Sequence, residues 1–204
     1  MFDDFAPNRR EFLLGATAFA LGGSESWKRL VQDAEKTDKK VRVAVIGTGS
    51  RGSYLTARLA TIEGAEIVAV CDNYPPHLEI GAEKAGPQAK QFSDVTKMLK
   101  EIKPEAVIIA TPLYTHYEIA MEALEHDCHI FCEKTMCYSI DQSRHLKSAV
   151  EKKGAILQVG LQRRSNAVYH QAKKLIEDGA LGDLTTIKCQ WHRNGSWRRG
   201  IPVG

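Results

Sequence analysis

The stretch Val41-Arg42-Val43-Ala44-Val45-Ile46-Gly47-Thr48-Gly49-Ser50-Arg51-Gly52 runs from a β-branched apolar segment straight into three spaced glycines. A short, continuous apolar run suits a strand buried on both faces of a parallel sheet. Leu55, Leu59 and Ile62 follow at helical spacing. The glycines therefore sit in a strand–turn–helix context, where G-x-G-x-x-G has a mechanism. Gly47 permits the tight turn, Gly49 lets a diphosphate approach the backbone, and Gly52 lets helix and strand pack closely. The backbone from Thr48 through Ser50 to Arg51 then presents N–H groups at a helix N-terminus, which favours an anion.

The pattern continues outward from this turn. Glu66-Ile67-Val68-Ala69-Val70-Cys71 reads as a second strand ending at Asp72. Asp72 lies about 20 residues beyond Gly52, the spacing at which a carboxylate accepts from adenosine ribose hydroxyls. A 2′-phosphate would meet its negative charge, so the reading favours NAD over NADP. Gln91-Phe92 is a short third strand, and Asp94 to Ile102 is a helix with Val95, Met98, Leu99 and Ile102 inward. Ala106–Ala110 is a fourth strand, Tyr114 to His126 a helix, and Cys128 to Cys132 a fifth strand. Ser139 and Gln142 form a capping box for a helix ending near Gly154, and Ala155–Val159 is a sixth strand. The expected fold class is α/β, a doubly wound parallel sheet. Ligands of such sheets sit at the strand carboxyl ends. That selects Gly47 to Gly52, Asp72, Thr111-Pro112, Glu133-Lys134 and Gly160 to Arg164.

Composition agrees with a folded domain. The 204 residues are 43% hydrophobic and 26% charged, with a formal net charge of +3. This excludes disordered and collagen-like chains and makes no case for nucleic acid. The longest apolar run, about a dozen residues, is too short for a bilayer span. Cys71, Cys128 and Cys132 fall in or beside core strands and read as buried free thiols. The spacing Cys128-x3-Cys132-x4-Cys137 matches no common zinc pattern, so no metal is expected.

Residues 1–40 read as a signal and linker. Arg9-Arg10 precedes a weakly apolar stretch, Phe12 to Gly23, as in a twin-arginine export signal, although Asp3, Asp4 and Glu11 offset the positive charge. The expected location is periplasmic, with no membrane attachment of the mature form. Residues 41–160 form the dinucleotide-binding domain. Residues 161–204 follow it as a separate segment. In it, Val168, Ala172, Leu175 and Ile176 mark a helix ending at Gly179, and Thr185 to Trp191 starts a strand.

Five motifs in order make the chain resemble the glucose-fructose oxidoreductase / inositol dehydrogenase / MocA-like (Gfo/Idh/MocA) oxidoreductases. They are Ala44 to Gly52, Ala69-Val70-Cys71-Asp72, Thr111-Pro112-Leu113-Tyr114-Thr115-His116, Cys132-Glu133-Lys134-Thr135, and Gln158 to Arg164. The resemblance implies a Rossmann NAD(P)-binding domain and hydride transfer between nicotinamide and a hydroxyl or keto carbon of a sugar, glycoside or cyclitol. It implies that Thr111, Pro112 and His116 line the nicotinamide side, and that Glu133 contacts the nicotinamide ribose. Lys134 would touch the reacting hydroxyl, with Gln162 and Arg163 or Arg164 near the nicotinamide end. A homo-oligomer of the full-length protein is implied as well. Thr135 stands where the family usually has proline, and family members continue well beyond this length, so the resemblance implies that residues 161–204 begin an incomplete α+β substrate domain. The same resemblance leaves two other readings open, an NAD-dependent glycoside hydrolase and a non-catalytic nucleotide-binding fragment. Retention of Glu133-Lys134 favours the oxidoreductase.

Overall fold

The computed structural model describes residues 40–192 and Gly195. The segments read above as signal and linker lie outside the described residues, except Lys40. The Cα trace divides into two compact units between Gln162 and Arg163.

The first unit is a six-stranded sheet in the order β3-β2-β1-β4-β5-β6. The strands are β1 (Val41–Ile46), β2 (Ala65–Cys71), β3 (Lys90–Phe92), β4 (Ala106–Ile109), β5 (His129–Glu133) and β6 (Leu157–Gly160). Every pairing is parallel. The helices are α1 (Ser50–Leu59), α2 (Pro75–Ala85), α3 (Val95–Ile102), α4 (His116–Glu125) and α5 (Ile140–Lys153). Alternation along β1 explains why five helices are needed. Val43 and Val45 enter one core with Leu59 of α1 and Ala85 of α2. Ala44 and Ile46 enter another, with Met98 and Leu99 of α3, Ala120 and Leu124 of α4, and Leu146 of α5. A strand with both faces covered has no polar side to show, hence its continuous apolar sequence.

Helix ends follow local chemistry. Asp94 caps α3 by accepting from the Lys97 N–H at 2.6 Å. Ser139 and Gln142 form the expected capping box of α5, which ends on Gly154 at φ 62°. Such caps are worth about 1 kcal/mol each. Element boundaries shift slightly: β5 begins at His129, after Asp127 turns the chain at φ 58°, and β6 runs 157–160. Helix α2 is absent from the sequence reading. It is weakly amphipathic, and its available signal was Pro75-Pro76 at the first helical positions.

The second unit contains α6 (Ala167–Glu177), capped by the Asn166 side chain. The strand expected over Thr185 to Trp191 is not formed among the described residues, where that stretch carries no regular structure. A strand exists through its ladder partner, and among the described residues this segment has none.

Candidate cofactor site

The strand order places β1 and β4 side by side at the point where chain progression reverses, and the crevice of such a sheet opens at their carboxyl ends. The turn after β1 is shaped by its neighbours. Gly47 adopts φ +84°, and a Cβ there would lie 2.8 Å from Ala110 backbone atoms and the Thr111 nitrogen. A Cβ at Gly52 would sit 1.7 Å from the Gly47 carbonyl oxygen. Both positions therefore exclude any side chain. Gly49 is the N-cap of α1 and, among the described residues, no side chain caps that helix. The N–H groups of Ser50, Arg51 and Gly52 start the helix and point out of its N-terminus. This is an anion cradle by construction.

Asp72, just past β2, ties the cradle together. Its Oδ2 accepts from the Thr48 N–H at 2.7 Å and its Oδ1 from the Tyr74 N–H at 2.9 Å. Thr48 is fully buried, and its hydroxyl donates to the His77 carbonyl at 2.8 Å. Helix α2 packs against this turn through Gly81, where a Cβ would come within 2.5 Å of the Thr48 side chain. The His77 ring lies over Gly49, with Nδ1 3.8 Å from Asp72 Oδ2. Gly81 and His77 were not singled out from sequence. Only the packing of α2 on the turn gives them a role.

The other rim follows β4, β5 and β6. The Thr115 hydroxyl lies 2.8 Å from the Thr111 hydroxyl and 2.8 Å from the Pro112 carbonyl, closing a 3-10 turn at Leu113–Thr115. His116 is buried rather than facing solvent, 2% exposed. Its Nδ1 lies 2.8 Å from the Thr135 carbonyl and its Nε2 3.0 Å from the Thr111 carbonyl. Carbonyls only accept, so the ring nitrogen that carries the proton donates to the carbonyl it faces, and the ring is wedged between the turns after β4 and β5. Glu133 ends β5 with its side chain buried, and Lys134 follows it, exposed. The Lys134–Thr135 peptide is cis. Arg51 of α1 reaches across to Glu133, with Nε and Nη2 each 2.6 Å from Oε1. Gln162 is exposed just beyond β6. In the second unit, Arg163 lies 4.9 Å from the Trp191 ring and 5.9 Å from the Tyr169 ring, and Arg164 is exposed.

The buried thiols flank this site without joining it. Burial pushes Cys71 up to about 12, with Asp72 and Asp94 adding to the rise. Cys132 is raised to about 12, first by burial and then by Cys137 and Glu133. Both stay protonated at neutral pH.

A glycine turn on an uncapped helix, a carboxylate after β2 and a Glu-Lys pair after β5 converge on one sheet edge. The profile of an oxidoreductase family with an NAD-binding Rossmann fold, GFO_IDH_MocA, matches residues 41–161. The chain belongs to the Gfo/Idh/MocA family. A Gfo/Idh/MocA relative, the D-glucoside 3-dehydrogenase of Escherichia coli K12, is 32% identical over 167 residues, 81% of this chain and 46% of the relative. The NAD(+)-dependent scyllo-inositol 2-dehydrogenase of Bacillus subtilis is 35% identical over 146 residues, 71% of this chain and 42% of the relative. Among solved structures, scyllo-inositol dehydrogenase from Lactobacillus casei with bound NAD(H) and scyllo-inositol superposes with TM-score 0.67 at 27% identity, covering 72% of this chain and 44% of that one. The chain thus spans less than half the length of these relatives. The matched domain is an NAD-binding Rossmann fold, and the negative charge of Asp72 after β2 favours NAD over a 2′-phosphorylated cofactor.

Proposed function

We propose that the chain supplies the cofactor-binding part of an NAD-dependent oxidoreductase acting on a hydroxyl or keto carbon of a sugar, glycoside or cyclitol. The observation that carries this reading is the placement of Lys134 directly after the buried Glu133, on the same sheet edge as the glycine cradle. When bound, NAD takes or returns the hydride. The chain's own residues do the rest. Ser50, Arg51 and Gly52 offer backbone N–H groups to the diphosphate, around the Cβ-free approach at Gly49, while Gly47 holds the turn and Thr48 ties it to Asp72. Asp72 accepts from the adenosine ribose, and Glu133 from the second ribose. Thr111, Pro112 and the His116 brace hold the turn beside the nicotinamide end. Lys134 donates to the reacting oxygen and stabilises the negative charge that develops as the proton leaves. Gln162, Arg163 and Arg164 are assigned to the nicotinamide end on the family resemblance.

We read residues 1–40 as a twin-arginine signal and linker, 41–160 as the cofactor domain and 161–204 as the start of the substrate domain. The Arg9-Arg10 pair before Phe12 to Gly23 supports export to the periplasm. That route moves folded proteins, so the cofactor would travel inside, and the whole protein is read as a homo-oligomer. The decisive experiment incubates the full-length protein with NAD and a panel of inositols, glucosides and free sugars, following reduced nicotinamide by absorbance. Reduction with at least one polyol is expected. Cleavage of a glycoside with no net change in nicotinamide would replace this reading with the hydrolase. Denaturing the exported protein is expected to release nicotinamide. Replacing Arg9-Arg10 with two lysines should leave it in the cytoplasm.

A further inference from the structure

One ion pair spans the groove between its two rims. Arg51, in the first turn of α1, places Nε and Nη2 each 2.6 Å from Glu133 Oε1, at the end of β5. The other carboxylate oxygen, Oε2, accepts from the Lys134 N–H at 3.1 Å. Gly160 of β6 walls the same group, since a Cβ there would lie 3.1 Å from Oε1. The Glu133 side chain is 8% exposed and that of Arg51 44%. A carboxylate has about four acceptor sites. Arg51 occupies both at Oε1 and the Lys134 N–H takes one at Oε2, so a ribose diol, with two O–H donors, finds room for one. Glu133 can receive both hydroxyls only when Arg51 leaves. A buried carboxylate cannot lose its cation without replacement donors. The half-exposed guanidinium, by contrast, sits beside an uncapped helix N-terminus, where an arriving diphosphate matches its fork.

We propose that Arg51 exchanges partners: its side chain holds Glu133 in the free protein and passes to the cofactor's diphosphate on binding, which releases Glu133 to the nicotinamide ribose. This rests on the NAD reading of the groove. It goes beyond that reading in making Glu133 unavailable until the diphosphate is in place, so that the adenosine-diphosphate half of the cofactor prepares the seat of the other half.

Calorimetric titration with ADP and with NADH separates the possibilities, because ADP carries the diphosphate but lacks the second ribose. In Glu133→Gln, Arg51 is already free, so ADP should bind about fivefold more tightly than to wild type, while NADH loses its ribose acceptor and binds more weakly. Arg51→Met should weaken both ligands by about tenfold. Arg51→Lys keeps the charge but loses the fork on Glu133 and on the diphosphate alike, two effects that offset, so its ADP affinity should stay within about twofold of wild type. Circular dichroism checks the fold of each variant, and Arg51→Lys carries the test should Glu133→Gln not fold. ADP affinity unchanged or lower in a folded Glu133→Gln overturns the exchange. So does an Arg51→Lys loss as large as that of Arg51→Met. A wild-type protein that binds neither ADP nor NADH overturns the groove reading itself.

Discussion

Thr48, in the turn after β1, is fully buried, with its N–H on Asp72 and its hydroxyl on the His77 carbonyl. Lys134, in the turn after β5, is exposed. The two turns sit on the same edge of one sheet yet solve different problems. The first must hold a diphosphate that is the same in every turnover, so it uses backbone and leaves no volume for side chains at Gly47 and Gly52. The second, which in the proposed reaction meets a hydroxyl, leaves the Lys134 cation exposed and buries Glu133 beside it. In the proposed function, binding is built from the backbone of one rim and chemistry from the side chains of the other. Among the described residues, the Arg51–Glu133 ion pair joins the two rims.

The largest effect expected from breaking this division is on the backbone rim. Gly52→Val places a side chain inside the Gly47 carbonyl and should destabilise the unit by more than ~3 kcal/mol, abolishing NADH binding; thermal melting and calorimetry measure both. On the side-chain rim, Lys134→Ala should leave NADH affinity within about twofold while turnover of the full-length enzyme falls about a hundredfold or more. A matching loss of affinity would place Lys134 in the cradle and erase the contrast. Asp72→Ala lies between these two. It removes the partner of the Thr48 N–H and the ribose acceptor together, so NADH should bind about tenfold more weakly with a modest loss of melting temperature.

Two smaller effects test the shared scaffold. His129 begins β5, and its Nδ1 accepts from the Ile156 N–H at 3.2 Å, which needs the neutral ring. Burial holds its pKa below the usual 6.5. The folded state therefore binds this proton less readily than the unfolded chain, and stability is lost as pH falls below 6.5 toward the folded pKa. His129→Gln should show a shallower decline of melting temperature between neutral and mildly acidic pH than wild type. The smallest perturbation is thiol labelling. Cys71 and Cys132 precede the two rim turns, and both are buried and raised to about 12. Neither should react with an alkylating reagent at mild pH in the native protein, while the exposed Cys189 should, as mass spectrometry of the digest would register. Labelling of Cys132 without Cys71 would mean that the side-chain rim opens more readily.

The second unit teaches the same lesson by contrast. Val168, Ala172, Leu175 and Ile176 correctly anticipated α6, because a helix satisfies its own backbone. The Thr185–Trp191 strand was equally plausible by pattern, but a strand needs a neighbour, and Ile187 and Trp191 remain 76% and 62% exposed. Helix α2 escaped notice for the opposite reason. Its weak apolar face hides a helix whose value is steric, since Gly81 is the surface on which the glycine turn rests.

By itself, the sequence determined the six strands, the glycine turn, Asp72 at the end of β2 and the capped helices. Each depends on residues adjacent in the chain, and local periodicity and backbone sterics report such contacts directly. Tertiary structure alone decided that His116 is buried between two turns, that Gly160 walls a carboxylate, and that Arg51 meets Glu133 across 82 positions. Those pairings arise when parallel strands bring distant turns to one edge, and no spacing along the chain encodes which side chain will reach which.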